Sequence, residues 1–171
     1  MAKVHLSHPY DCTEEKFWEL FFDDAFNQRL FRQGLQFPVY EQLSFEETET
    51  EIQRVTHVVP KVGQLPSALK KLVGDQVGYR ERGVFDKRTR RFEIDVIPDR
   101  VPDRLTVRGT LRCEPIDDGK CRRMFDATVE ARVFGVGGLL EKRVIDDLRE
   151  SYDGSAKYAN AYLAQRPPTP E

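Results

Sequence analysis

Few side chains in this sequence have the type and spacing to do chemistry, and Glu81 is the most distinctive of them. In the run Val77 to Phe85 the residues Val77, Tyr79, Gly83 and Phe85 share one parity, and Glu81 falls on it as well. Successive side chains of a strand point to opposite faces, so a strand here turns Glu81 toward the apolar side. A carboxylate in that position must be paired, neutral, or near the open end of the sheet. Tyr79, two residues away on the same face, offers a hydroxyl partner. Together they could anchor the polar group of a ligand or work as a general acid or base. The plainer alternative is a glutamate at a cavity mouth that reaches water or an arginine.

Other reactive groups lead nowhere so definite. His5, His8, Asp11 and Cys12 are close in the sequence. An odd separation sends His5 and His8 to opposite faces of a strand, and a tetrahedral metal site needs ligands that converge. No metal or cofactor is expected. Cys113 and Cys121 fall as diagonal neighbours in the hairpin register derived below, with Cα atoms about 7 Å apart, which suits a disulfide poorly. Arg122 and Arg123 could lower the Cys121 pKa, but no histidine is expected beside it to complete a nucleophile. Gly135-Val136-Gly137-Gly138 precedes a helix as a phosphate loop would. It lacks a following Lys-Ser/Thr and the GxGxxG spacing, and reads as a tight turn.

Composition narrows the classes. The chain has 171 residues, a length for one domain, with 39% hydrophobic and 33% charged residues. Its 27 basic and 29 acidic side chains nearly cancel, for a net charge of −2. That excludes a strongly basic nucleic-acid binder and an acidic disordered chain. No apolar run approaches the ~18 residues of a membrane span. The N-terminus lacks the apolar core and small-residue site of a signal peptide. With three cysteines, free thiols in a reducing cytoplasm are the expectation.

Periodicity supplies the elements that must hold these residues. Val4, Leu6 and His8 alternate as a short strand that ends at Pro9. Asp11 or Thr13 caps a helix through Phe17, Leu20 and Phe21, and Phe26, Leu30, Phe31 and Leu35 mark a second one ended by Gly34 and Pro38. Residues 39–47 and 50–59 read as strands. Residues 60–75 break the pattern around Pro60, Gly63 and Pro66, with Ser67 capping a turn or two of helix closed by Gly74. Four alternating strands follow. A four-residue loop, Lys87 to Arg90, pairs Phe85 with Phe92. Asp117-Asp118-Gly119 as a three-residue loop pairs Ile116 with Lys120 and Leu111 with Phe125. From residue 138 to 164 Leu140, Val144, Leu148, Ser151 or Tyr152, Ser155, Ala159 and Tyr162 form one helical stripe, with Gly154 as a weak spot.

The order strand, two short helices, six strands and one long C-terminal helix resembles the START-like superfamily, also called the helix-grip or polyketide-cyclase-like (SRPBCC) fold. The stretch from Ser7-His8-Pro9-Tyr10-Asp11 to Phe17-Trp18-Glu19-Leu20-Phe21 is similar to that superfamily's opening strand and first helix. Val136-Gly137-Gly138-Leu139-Leu140-Glu141-Lys142 is similar to one bacterial branch of unknown function. The resemblance implies an α+β fold: a curved antiparallel sheet of six to seven strands wrapped around the long helix, as one domain over residues 1–165 with a disordered tail at 166–171. It also implies a cavity between sheet and helix that holds a hydrophobic small molecule, lipid-like or polyketide-like.

The expected lining follows from parity. Tyr79, Glu81, Gly83 and Phe85 face inward from one strand and Phe92 and Ile94 from the next. Val107, Gly109 and Leu111 follow, then Phe125 and Val129, with Leu148 and Tyr152 from the helix. Gly83 and Gly109 are expected to leave the middle of the sheet bare and so to open the cavity, which leucine at position 83 would then fill. Residues 60–75 and the first two helices would control entry. Two other functions stay open: a cyclase- or aromatase-like enzyme using Glu81, and an interaction domain with a filled core. No nucleic-acid partner is expected, and the oligomeric state is not legible.

Overall fold

The computed structural model describes residues 1–165, so the proposed tail lies outside the described residues. Seven strands form one antiparallel sheet: β1 (Ala2–Tyr10), β2 (Val39–Glu47), β3 (Glu51–Val59), β4 (Tyr79–Asp86), β5 (Arg91–Pro98), β6 (Leu105–Asp117) and β7 (Lys120–Ala131). Their order is β1-β7-β6-β5-β4-β3-β2. Strands β2 to β7 thus run as a meander, and β1 closes on β7. The described residues also form four α-helices: α1 (Glu14–Phe21), α2 (Asp24–Arg29), α3 (Ser67–Val73) and the long α4 (Gly137–Gln165). The architecture is the α+β helix-grip expected from the order of elements.

Local chemistry explains the short helices. Thr13 caps α1, its Oγ1 accepting from the Lys16 amide at 3.2 Å, and Asp23 caps α2, accepting from the Phe26 amide at 3.0 Å. Each satisfies an amide that the helix itself leaves unpaired. The chain then widens into one π turn, Leu30–Gly34. Gly34 lies against α4, where a Cβ would stand 2.7 Å from the Tyr158 ring. At α3 the expected cap is displaced: Pro66 occupies the N-cap and Ser67 is already helical.

The register of β6 and β7 is the derived one for most of its length, with Leu111 opposite Phe125 and Gly109 opposite Ala127. Its tip differs. Asp117, not Ile116, pairs with Lys120, and Ile116 is left over as a bulge residue. The loop is therefore two residues, Asp118-Gly119, with Gly119 at φ +78°. Gly119 takes a positive φ at the turn, which it can do without a Cβ penalty. The bulge absorbs the odd residue, and Ile116, half out in solvent, has no core position to defend.

Helix α4 lies across the sheet without interruption at Gly154, where the missing side chain makes room for Leu35: a Cβ would be 2.7 Å from its Cδ2. Asn160 clasps α4 to the end of β1, accepting from the Asp11 amide at 2.9 Å and donating to the Pro9 carbonyl at 3.0 Å. Buried apolar side chains gather in a large cluster where α1, α2 and α4 meet the sheet, and in a smaller one under α3 built on Leu69, Leu105, Val107, Val129 and Leu140.

Candidate functional site

Between the sheet and α4, bounded by α1, α2 and the chain around Pro60, lies a cavity of about 200 Å³. It exists because a curved sheet subtends more space than one helix can fill. Its floor is Tyr79 and Glu81 of β4, Ile94 of β5, Val107, Gly109 and Leu111 of β6, and Phe125 of β7; Leu148 and Tyr152 of α4 form part of its roof. Helices α1 and α2 close one end with Phe17, Leu20, Phe21 and Phe26. The lining is mainly apolar, the composition that recognises apolar ligands by burial with a few polar groups setting orientation.

Four of the expected lining residues, Gly83, Phe85, Phe92 and Val129, are not part of this surface. Phe85 packs on Trp18 at a ring distance of 4.5 Å, and Val129 belongs to the cluster under α3. The two glycines do not open the cavity in the expected way. A Cβ on Gly83 would stand 1.7 Å from Cζ of Phe92, and one on Gly109 would stand 2.6 Å from Cε2 of Phe125. Each glycine is covered by the aromatic ring of a neighbouring strand. Leucine at position 83 would therefore collide with Phe92 rather than fill a void. Phe125, lying over Gly109, continues upward and stacks on Tyr152 at 4.4 Å, so the sheet reaches α4 through two rings.

The polar groups of the cavity include two buried arginines. Arg54 of β3 is 5% exposed and Arg123 of β7 is 6% exposed. Arg123 is a hub. Its Nη1 donates to the Tyr10 hydroxyl at 2.6 Å and to Ser155 Oγ at 2.9 Å, and its Nη2 donates to the Tyr152 carbonyl at 2.8 Å and to His8 Nδ1 at 3.2 Å. Its guanidinium also lies over the Tyr152 ring at 4.4 Å. His8 in turn meets Asp153 through Nε2 at 2.5 Å. An exposed carboxylate is thereby linked through one imidazole to a buried cation.

Arg54 is held differently. Its Nη1 donates to the Phe21 carbonyl at 2.6 Å, and its guanidinium sits 4.4 Å from the centre of the Phe21 ring. That carbonyl ends α1, where a cation meets the negative end of the helix dipole. The buried side chain of Asn27 donates to the same oxygen at 2.9 Å. Glu81 approaches Arg54 Nη2 only to 3.8 Å, an ion pair without a hydrogen bond. Burial pushes the Glu81 carboxyl above the usual carboxylate range, and the Arg54 charge offsets part of that rise. Tyr79 and Tyr152 are likewise held neutral by burial. Tyr40, 1% exposed, has its hydroxyl pushed up to about 12 by burial, and that hydroxyl has no hydrogen-bond partner.

The remaining reactive groups fall elsewhere. His5 pairs with Asp126 on the outer face of the sheet and His57 with Asp99. The described residues contain no cluster of histidine, cysteine and carboxylate groups suited to a metal ion. The three cysteines are free and buried. Cys121 is raised to about 12, first by its hydrogen bond to Cys113. The expected lowering by Arg122 and Arg123 does not appear: the Cys113 hydrogen bond and burial prevail. The sequence itself does not single out Arg54 and Arg123, and parity is the signal they carry. Arg54 alternates in phase with Ile52, Thr56 and Val58, and Arg123 with Cys121, Phe125, Ala127 and Val129, but an arginine is ordinarily solvated.

Residues 5–163 match the family described as Protein of unknown function (DUF2505). The chain belongs to that family. No curated protein matches its sequence. Solved structures share its fold across nearly the whole chain. The Zhui aromatase/cyclase from Streptomyces sp. R1128 superposes with a TM-score of 0.57 at 15% identity, over 96% of this chain and 92% of that one. Norcoclaurine synthase from Thalictrum flavum, in complex with dopamine and hydroxybenzaldehyde, gives 0.64 at 13% identity over 97% and 88%. A START superfamily protein from Mycobacterium smegmatis gives 0.61 at 10% identity over 94% and 98%. At such identities the likeness is one of fold: the DUF2505 chain has a START-like fold. Among its described residues, no helix is long and apolar enough to cross a membrane.

Proposed function

We propose that this DUF2505 protein binds a hydrophobic small molecule, polyketide-like or lipid-like, in the cavity between the sheet and α4. The observation that carries the reading is the cavity itself: about 200 Å³, mainly apolar, with Glu81, Arg54, Arg123, Asp147, Tyr40 and Tyr79 among its polar groups. Ligand pockets commonly run from roughly 300 to 1,000 Å³, so without movement of α1 and α2 this one suits a molecule of one or two rings. The START-like neighbours support the reading by analogy, since one is an aromatase/cyclase and another was solved with two small aromatic molecules bound. The free, buried thiols fit a reducing, cytoplasmic setting.

A second reading rests on Glu81. Its carboxyl is raised by burial and lines the cavity beside Tyr79, which is how a general acid is made. On that reading Glu81→Gln keeps ligand affinity and loses turnover; on the binding reading there is no turnover to lose.

Native mass spectrometry of the protein purified from its own host, followed by organic extraction, tests the proposal. The expected result is a co-purifying apolar molecule in one-to-one ratio. An unliganded mass that does not shift when apolar aromatics and short lipids are added overturns it.

A further inference from the structure

Two polar side chains of the cavity lining, Arg54 and Tyr40, have fewer hydrogen-bond partners than burial demands. Arg54 carries five N–H donors on a planar guanidinium. Among the described residues it uses one of them in a hydrogen bond, to Phe21 O, and it meets its nearest carboxylate only at 3.8 Å. Tyr40, on the adjacent strand β2, belongs to the same lining and has a buried hydroxyl without a partner, close enough for the Arg54 charge to act on it. Buried donors in native proteins are almost always satisfied, and each exception calls for a reason. Among the lining side chains with a buried atom left unpaired are Tyr40, through its hydroxyl, and Arg123, through Nε, but Arg123 spends its other nitrogens on four acceptors, whereas Arg54 leaves most of its donors unused.

The charges around them have a sign. Arg54, Arg123, Glu81 and Asp147 are the charged groups that line the cavity. Asp147 is paired with Arg143 at 3.2 Å. The tyrosines of the lining, Tyr10, Tyr40, Tyr79 and Tyr152, are all held neutral by burial. Of the two guanidinium groups, Arg123 is engaged by four acceptors, and Arg54 has one sheet carboxyl near it, Glu81, whose own ionisation burial opposes. A cation would meet this wall at a disadvantage. An anion with in-plane acceptors would complete it, because a carboxylate takes two parallel N–H bonds from arginine.

We infer that the cavity selects apolar molecules bearing a carboxylate, or an anion of similar shape, and that Arg54 and the Tyr40 hydroxyl receive that group. The inference rests on the cavity being a binding site. Within it, Arg54 supplies the paired N–H donors and Tyr40 a third donor, while the apolar body of the ligand lies along Ile94, Leu111 and Leu148. Glu81 takes up a proton when the anion arrives, and changes from a competitor for Arg54 into a further donor.

Isothermal titration with three probes of one size separates the possibilities: 2-naphthoate, its neutral isostere 2-naphthamide, and 2-methylnaphthalene. Naphthoate is expected to bind roughly tenfold tighter than naphthamide, or better, as a charge-assisted pair requires. Arg54→Met should abolish that gap. Tyr40→Phe should weaken naphthoate and naphthamide several-fold and leave methylnaphthalene unchanged. If Arg54→Met does not fold, the wild-type ratio and Tyr40→Phe still decide. Equal affinities for the three probes, or a naphthoate preference that survives Arg54→Met, overturn the inference and leave the binding reading standing. Binding of none of the three overturns the inference, and the binding reading falls as well if short lipids also leave the native mass unshifted.

Discussion

Replacing Gly83 by alanine is expected to destabilise the fold without touching the cavity. The added Cβ would lie 1.7 Å from Phe92 Cζ, 2.3 Å from Cε2 and 2.5 Å from Cε1. Carbon atoms in contact stand about 3.5–4.0 Å apart, so the ring must retreat by close to 2 Å or β4 must move. Phe92 has no room to retreat. It is fully buried, with Phe21 at 5.0 Å, Phe22 at 5.9 Å and the Arg54 guanidinium at 5.4 Å from its ring centre. Overpacking of this kind costs about 1–3 kcal/mol, and a ring boxed in on several sides places Gly83→Ala at the upper end. For a chain of this length that is a fall in Tm of roughly 6–12 °C. Urea unfolding followed by circular dichroism reads the change as a lower midpoint at constant slope. The double variant Gly83→Ala/Phe92→Leu, with a smaller side chain over the new methyl, should recover about 1 kcal/mol or more relative to the sum of the single changes. Gly109→Ala, whose nearest ring atom is at 2.6 Å, should cost less than Gly83→Ala. A neutral Gly83→Ala, or strictly additive single changes, would refute the placement of Phe92 over Gly83.

Two further outcomes follow from the polar groups of the site. Burial raises the Glu81 carboxyl in the folded chain, so the fold favours its protonated form; that contribution is fully present below the unfolded value of about 4.3 and is lost as pH rises through the raised folded value. Glu81→Gln cannot ionise, so it should match the parent at pH 4 and exceed it at pH 7 by on the order of 1 kcal/mol; urea midpoints showing no pH-dependent gap would contradict this. Arg123→Met removes the donor shared by Tyr10, Ser155, His8 and the Tyr152 carbonyl. It should cost about 3 kcal/mol and speed amide exchange in α4 around residues 152–156, and a loss under about 1 kcal/mol would mean that the hub is dispensable.

Alternation and turn chemistry, read from the sequence alone, determined the order of elements, the inward parity of Tyr79 and Glu81 and the pairing of Phe85 with Phe92 and of Leu111 with Phe125. These are local matters. A period of two assigns each side chain to a face, and a Gly-containing turn sets which residues stand opposite. Nothing in the sequence singles out Arg54 and Arg123: their parity is that of the inner face, but an arginine is ordinarily solvated. Only the tertiary structure decided between them, by supplying the Phe21 carbonyl across from one and Tyr10, Ser155, His8 and the Tyr152 carbonyl around the other. These partners come from elements far away in the chain, and no periodicity encodes their distances. The glycines make the same point. Parity placed Gly83 and Gly109 on the inner face, but whether a bare backbone opens a cavity depends on where the neighbouring ring lies. Phe92 and Phe125 chose rotamers that cover both glycines, and a rotamer is settled by packing in three dimensions rather than by spacing along the chain. The cavity is what remains after those rings, α4 and the two buried arginines have taken their places.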